Sequence, residues 1–344
     1  MYIDLNYKIF KKIVLMSYST YSKFNILAFF LFLCLCFPSF SQENQFEEDV
    51  VKNKVKNNFL FSQKDTTSKA TKIQKNKKWL FPTVAATTYV GGMTFLYQTW
   101  YKNENQTSFH FFNDNRQWNQ LDKFGHAYTS YQLGKLSYYS CKKLNYSEKN
   151  SLWASTAGFW LMLPIEIFDG FSPTYGASYG DIIANGTGSL LFLTQQIAFK
   201  EQRVQMKFSF FPTSYSDLRP NTLGENLPTK IIKDYNGQTY WFSSSPALWV
   251  NKKTDMKTKF PKWLAFSVGY GANNMLYGSE NENNENGYYS SRTFYLSLDI
   301  NWSQIKTKRK GLQLLFGVFD GIKIPFPALY YDTLKGFGAN SLAF

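Results

Sequence analysis

Three textures of hydrophobic patterning follow one another along the chain. Residues 26–37, ILAFFLFLCLCF, form one unbroken apolar run. Residues 79–200 carry long apolar stretches without alternation, and this predicts four helices at about 82–101, 121–142, 149–168 and 179–199. After Lys200 the period becomes two: Met206, Phe208 and Phe210 alternate with Lys207 and Ser209, and Leu264, Phe266, Val268 and Tyr270 with Ala265, Ser267 and Gly269. Phe294, Leu296, Leu298, Ile300 and Trp302 repeat the pattern against Tyr295, Ser297, Asp299 and Asn301. Such segments predict strands with one apolar and one more polar face. The fold class expected is therefore α+β, a helical block of about four helices followed by an antiparallel, β-rich C-terminal part.

Four regions follow from this pattern. The first apolar run is preceded by Lys23 and followed by Ser39 and Ser41, so residues 1–41 read as a secretory signal peptide cleaved before Gln42. Met16 is the expected start of translation within that long leader. Residues 42–78 read as a flexible, Lys-rich arm, 79–200 as the helical domain and 201–344 as the β-rich region. Segment 82–101 is long enough to cross a bilayer, and Tyr97, Trp100 and Tyr101 at its end suit an interface. Its threonines and Gly91-Gly92 equally suit a buried helix; membrane contact is the favoured reading. Five or six strands are too few for a single-chain outer-membrane barrel, so a sheet packed on the helices, with one face available to lipid, is expected. The segment 221–249 is expected to cross from helices to sheet.

Composition and charge narrow the class. Aromatics make up 19% and charged residues 18% of the 344 residues, which excludes disorder for most of the chain. The mean hydropathy of −0.34 argues against a protein of many spans. The net charge is +14, but residues 51–78 hold nine lysines against one aspartate. Export removes nucleic acid as a partner; an anionic membrane surface or membrane lipid is the expected one. Cys34 and Cys36 lie in the leader behind leucines, which do not suit a lipidation site, and Cys141 alone remains, read as a buried apolar residue. No Walker loop, dinucleotide fingerprint or nucleophile elbow is present, so the sequence names no particular cofactor.

Candidate chemistry concentrates in the helical block. Asp122 and His126 stand at i,i+4 with Lys123 between them, and Glu166 and Asp169 at i,i+3 on an otherwise apolar helix end. Ser178, Asp181 and Asn185 occupy a third segment. Polar groups amid apolar helices need partners, so the three faces are expected to converge. Each also has a plainer reading. Ser178-x-x-Asp181 fits a capping box and Asp122 an N-cap. Glu166 and Asp169 could pair with Lys123 or Arg116, and His126 could be a satisfied core histidine.

The order D-K-x-x-H, E-x-x-D-G-F-S and S-x-G-D-x-x-x-N-x-x-G, over about Trp118 to Gln196, resembles the YfiM-like family of predicted bacterial envelope lipoproteins. It is more loosely similar to VanZ-like membrane proteins. The resemblance implies an envelope location and a polar site built from the eight residues just named; it implies no reaction.

Three functions are consistent with these features. The first is a membrane-associated envelope protein that binds or maintains a lipid or other envelope component through a polar pocket. The second is a lipid or phosphoester hydrolase with His126 as general acid/base, Asp122 or Asp169 orienting it and Lys123 stabilising an anion, or with His126, Glu166, Asp169 and Asp181 holding a divalent metal. The third is a purely structural role for the cluster.

Overall fold

A computed structural model describes residues 80–102, 105–250 and 260–344. The expected signal peptide and Lys-rich arm lie outside the described residues. Helix α1 (Leu80–Trp100) precedes a loop, and then come α2 (Leu121–Lys143), α3 (Glu148–Ser155), α4 (Ala157–Gly170) and α5 (Tyr179–Phe199). The expected helix at 149–168 is thus two helices, bent at Thr156, whose hydroxyl donates to the Trp153 carbonyl and competes with the helical ladder. The remainder is a six-stranded antiparallel meander: β1 (Val204–Phe210), β2 (Gln238–Ser244), β3 (Leu264–Asn273), β4 (Ser291–Ile300), β5 (Phe326–Asp332) and β6 (Gly336–Ala343). Helix α6 (Lys310–Phe319) lies between β4 and β5, and short helical turns fill the β1–β2 and β3–β4 connections. Mixed helices and antiparallel sheet agree with the expected class, but the helices exceed four. The 221–249 segment contains a full central strand, β2, rather than a crossing alone.

Helix α2 is the hub. It meets α5 and α4 through glycines whose missing side chains allow backbone contact: a Cβ on Gly188 of α5 would lie 1.9 Å from the Ala127 carbonyl oxygen, and one on Gly158 of α4 would lie 2.1 Å from that of Ser130. Its other side buries Leu121 with Tyr240, Tyr270 and Met275, and packs Phe124 and Tyr128 on the sheet. Tyr131 and Tyr138 meet Phe192 of α5 and Met206 of β1 in a second cluster. Tyr89 of α1 donates to the Leu161 carbonyl, 2.9 Å, and Tyr97 stacks edge-on against Phe168. The stretch Glu148–Gly170 is the one among the described residues long and apolar enough to cross a membrane by length and composition; α1 does not qualify.

The sheet is rolled with its polar face inward. Ser243, Ser267, Ser297 and Ala328 form one cross-strand row and are all buried. The adjacent row, Phe242, Val268, Leu296 and Leu329, faces outward, with Leu296 51% and Leu329 62% exposed. Rolling brings strands that are not neighbours together. Lys207 of β1 pairs with Asp299 of β4 at 2.9 Å, both fully buried, and Trp241 of β2 packs on Ala328 and Ala343 of β5 and β6. Gly269 gives Trp241 its room, since a Cβ there would lie 2.5 Å from the indole. Asp299 accepts from Ser267 at 3.0 Å, and Lys207 also donates to the Ile300 carbonyl. A second buried pair, Lys135 with Asp320, joins α2 to the end of α6, with Gln205 donating to the same carboxylate. Helix α2 covers the apolar face around Met206, Phe208, Tyr240 and Tyr270. The helices repeat the arrangement outside: Ile183, Leu190 and Ile197 of α5, spaced by seven, are all exposed.

Candidate functional site

The three helical segments meet. Asp122, Lys123 and His126 project from the first turns of α2, Glu166 from the end of α4, and Ser178, Asp181 and Asn185 from the start of α5. His126 Nδ1 lies 3.2 Å from Asn185 Oδ1 and 3.4 Å from Glu166 Oε1. Its Nε2 faces two carboxylate oxygens, Asp122 Oδ1 and Asp181 Oδ1, each 3.9 Å away. Lys123 Nζ is held by Asp114 and Asp181 at 2.7 Å each and by Asp122 Oδ2 at 3.2 Å.

Local structure explains these positions. Ser178 caps α5, its hydroxyl accepting from the Asp181 amide, so that part of the capping reading holds. The Asp181 carboxylate does not complete the box; it turns to Lys123. Asp122 is not an N-cap. Helix α2 begins after Trp118, Asn119 and Gln120, three non-glycine residues in the left-handed region with φ of 48°, 49° and 63°. This costly turn is held by the β3–β4 region: Trp118 N donates to the Gly278 carbonyl and Tyr270 donates to that of Asn119. The turn frees Asp122 to accept from Tyr235 at 2.8 Å.

Asp169 stands apart from the others. Its carboxylate accepts from Tyr101 at 2.6 Å, and that tyrosine borders a cleft of about 270 Å³ lined by Tyr97, Asn105, Gln106, Phe168 and Phe171. Neither Glu166 nor Asp169 pairs with Lys123 or Arg116. Glu166 instead accepts from the Ser178 amide at 3.2 Å. His110 pairs only its backbone into this region, with Gly170 and Ala177. Cys141 is half-buried at the far end of α2 rather than buried as expected, and burial pushes its thiol pKa up, which does not suit a nucleophile.

Sequence reasoning missed three members. Asp114 ties Lys123 to Ser178, whose hydroxyl it accepts at 2.6 Å; Tyr235 holds Asp122; and Tyr101 holds Asp169. An acid inside the aromatic run 109–118 was the available signal for Asp114. Nothing local marks the two tyrosines.

Electrostatics divide the cluster. Burial pushes the Glu166 carboxyl up to about 8, that of Asp169 to about 7, and that of Asp181 to about 6. Burial alone would lower the His126 pKa, but Asp122, Asp181 and Glu166 outweigh it and raise it. Asp122 is held below its usual range despite burial by His126 and Lys123. Near neutral pH the site therefore keeps a proton on Glu166 beside charged Asp122 and Lys123. As for metal ligation, Asp122, His126 and Asp181 offer ligand atoms that all lie within 4.8 Å of one another. Glu166 is on the Nδ1 side of the imidazole and Asp169 is turned away, so the ligand set expected from sequence is not the one assembled. The cluster is largely enclosed, with the Asp122 side chain, 26% exposed, as its widest opening.

Residues 110–194 match the model of a family described as predicted periplasmic lipoprotein, DUF2279. The matched segment runs from the Asp114 loop through most of α5 and contains every helical residue of the cluster. The chain is accordingly an exported protein of the cell envelope. No curated protein and no solved structure matches it.

Proposed function

We propose that the protein works at a membrane of the cell envelope, with the outer row of its sheet and the exposed faces of α4 and α5 against lipid, and that its polar cluster binds or maintains a component of that membrane. The observation that carries this reading is the inverted sheet. Serines, Lys207 and Asp299 are enclosed while Phe242, Val268, Leu296 and Leu329 look outward, the distribution expected where the surrounding medium is apolar. Trp160 and Ile167 on α4 and the Ile183 row on α5 are exposed apolar side chains as well. The aromatic cleft beside Tyr101 and Asp169 offers an acyl chain a place next to the cluster. Cell fractionation tests the reading. The protein is expected to stay with membranes through a high-salt wash and to leave with detergent; recovery of intact protein in the soluble periplasmic fraction after mild lysis overturns it.

A second reading rests on the imidazole. Asn185 and Glu166 hold Nδ1 and aim Nε2 at Asp122, an arrangement suited to proton transfer during hydrolysis of an envelope lipid or phosphoester. Under it, His126→Ala folds but loses turnover of envelope lipid extracts; under a purely structural role the same substitution unfolds the protein.

A further inference from the structure

We propose that Asp122, His126 and Asp181 form a binding site for one divalent transition-metal cation, of the Zn2+ or Mn2+ class. Three independent observations converge on it.

The first is spacing. Asp122 Oδ1 and Asp181 Oδ1 are each 3.9 Å from His126 Nε2. That is too long for hydrogen bonds, whereas metal–ligand bonds of about 2.0–2.2 Å separate neighbouring ligands of one ion by about 3–4 Å. Asp181 Oδ1, on a residue only 3% exposed, meets the Lys123 ammonium at 2.7 Å on one side and faces the imidazole beyond hydrogen-bond reach on the other.

The second is charge. Three carboxylates, those of Asp114, Asp122 and Asp181, surround one permanent cation, Lys123. Lys123 uses Asp114, Asp181 Oδ1 and the Oδ2 oxygen of Asp122, which leaves Asp122 Oδ1 directed at the imidazole. An enclosed excess of negative charge calls for a further cation.

The third is the support behind each ligand. Acceptors at Nδ1, Asn185 Oδ1 and Glu166 Oε1, place the ring hydrogen there and present the Nε2 lone pair to the carboxylates; Tyr235 fixes Asp122 Oδ1 from behind at 2.8 Å. Outer hydrogen bonds that set the tautomer and aim of a ligating imidazole are characteristic of metal sites. A nitrogen–oxygen donor set without thiolate suits Zn2+ or Mn2+ better than Ca2+ or Cu+. The exposed edge of Asp122 leaves one side open for water or a substrate oxygen.

The proposal does not depend on membrane contact, and its test reads binding alone. The full chain in detergent, stripped with chelator and dialysed, is titrated with Mn2+ and with Zn2+ by calorimetry at neutral pH. One saturable ion per chain is expected, together with a raised thermal midpoint. Asp122→Asn, at the most exposed ligand, should keep the apo melting temperature and weaken binding at least tenfold. His126→Ala should abolish binding, and Asn185→Ala, which removes no ligand, should weaken it about tenfold. Absence of saturable binding by both ions overturns the proposal. So does an Asp122→Asn chain that melts like the parent and binds Mn2+ and Zn2+ with unchanged affinity, which would place the ions elsewhere.

Discussion

The helical cluster and the sheet interior both enclose ionised groups beneath apolar exteriors, yet they balance them differently. Inside the rolled sheet each of these carboxylates has its own lysine: Lys207 meets Asp299, two serines and a carbonyl complete the shell, and Lys135 meets Asp320 with Gln205 and Ser303 in support, while the neutral Gln205 Oε1 is left without a partner among the described residues. At the start of α2 three carboxylates, those of Asp114, Asp122 and Asp181, face one lysine, and the buried Nδ2 of Asn185 has no hydrogen-bond partner among the described residues. A satisfied network rigidifies; an unsatisfied one keeps capacity for something else, be it a proton, a cation or a ligand. Polar burial alone therefore does not mark a working site. The imbalance does.

The largest effect that would break this contrast lies in the sheet. Asp299→Leu leaves Lys207 charged, unpaired and fully enclosed, and should cost about 3–5 kcal/mol in chemical unfolding, whereas Lys207→Met together with Asp299→Leu should recover most of it. Next comes the contact that assembles the helical site. Gly188→Ala drives a methyl into the Ala127 carbonyl and should cost about 1–3 kcal/mol, with a drop in whatever the cluster binds. The third concerns Lys323, enclosed above the Trp241 ring and donating to the Ile324 carbonyl, where burial first and Lys207 second pull its pKa down to about 8. Above that value the unfolded chain binds the proton and the folded chain does not. Stability should consequently rise with pH from about 8 toward the free-lysine value, by at most about 1.4 kcal/mol per pH unit, and Lys323→Met should remove that rise when the two are compared from pH 8 to 9.5. The smallest change is expected where the imbalance sits. Glu166→Gln replaces an already protonated acid with a neutral isostere that can still accept from Ser178, so its unfolding midpoint near pH 7 should move by less than about 1 kcal/mol. A loss as large as that of Asp299→Leu would erase the distinction between the two interiors.

Much of this was legible along the chain, for reasons that also show where legibility stops. Helical spacing set Asp122 beside His126 and Asp181 beside Asn185, and α2 and α5 fall within a residue of their expected ends. Asp114, Tyr101 and Tyr235 were not legible, because they reach the cluster from a loop and from distant elements whose approach depends on tertiary packing. Alternation announced strands at Leu264 and Phe294, but a period of two says only that the two faces differ. Which face the sheet rolls over depends on pairs such as Lys207 with Asp299, separated by two intervening strands in the meander and by 92 positions in sequence. Strand β2 was missed for a related reason: Tyr240, Trp241 and Phe242 are consecutive aromatics, and only the structure distributes them between α2, the sheet interior and the outer row.

The left-handed turn at Trp118, Asn119 and Gln120 makes the two interiors mechanically continuous. A helix would ordinarily start wherever its cap lies; α2 starts where the β3–β4 hairpin grips the preceding carbonyl and amide. The first residue past that grip is Leu121, the next is Asp122, and His126 follows one turn later. The β3–β4 hairpin thereby fixes where the turn of helix that carries Asp122 and His126 begins.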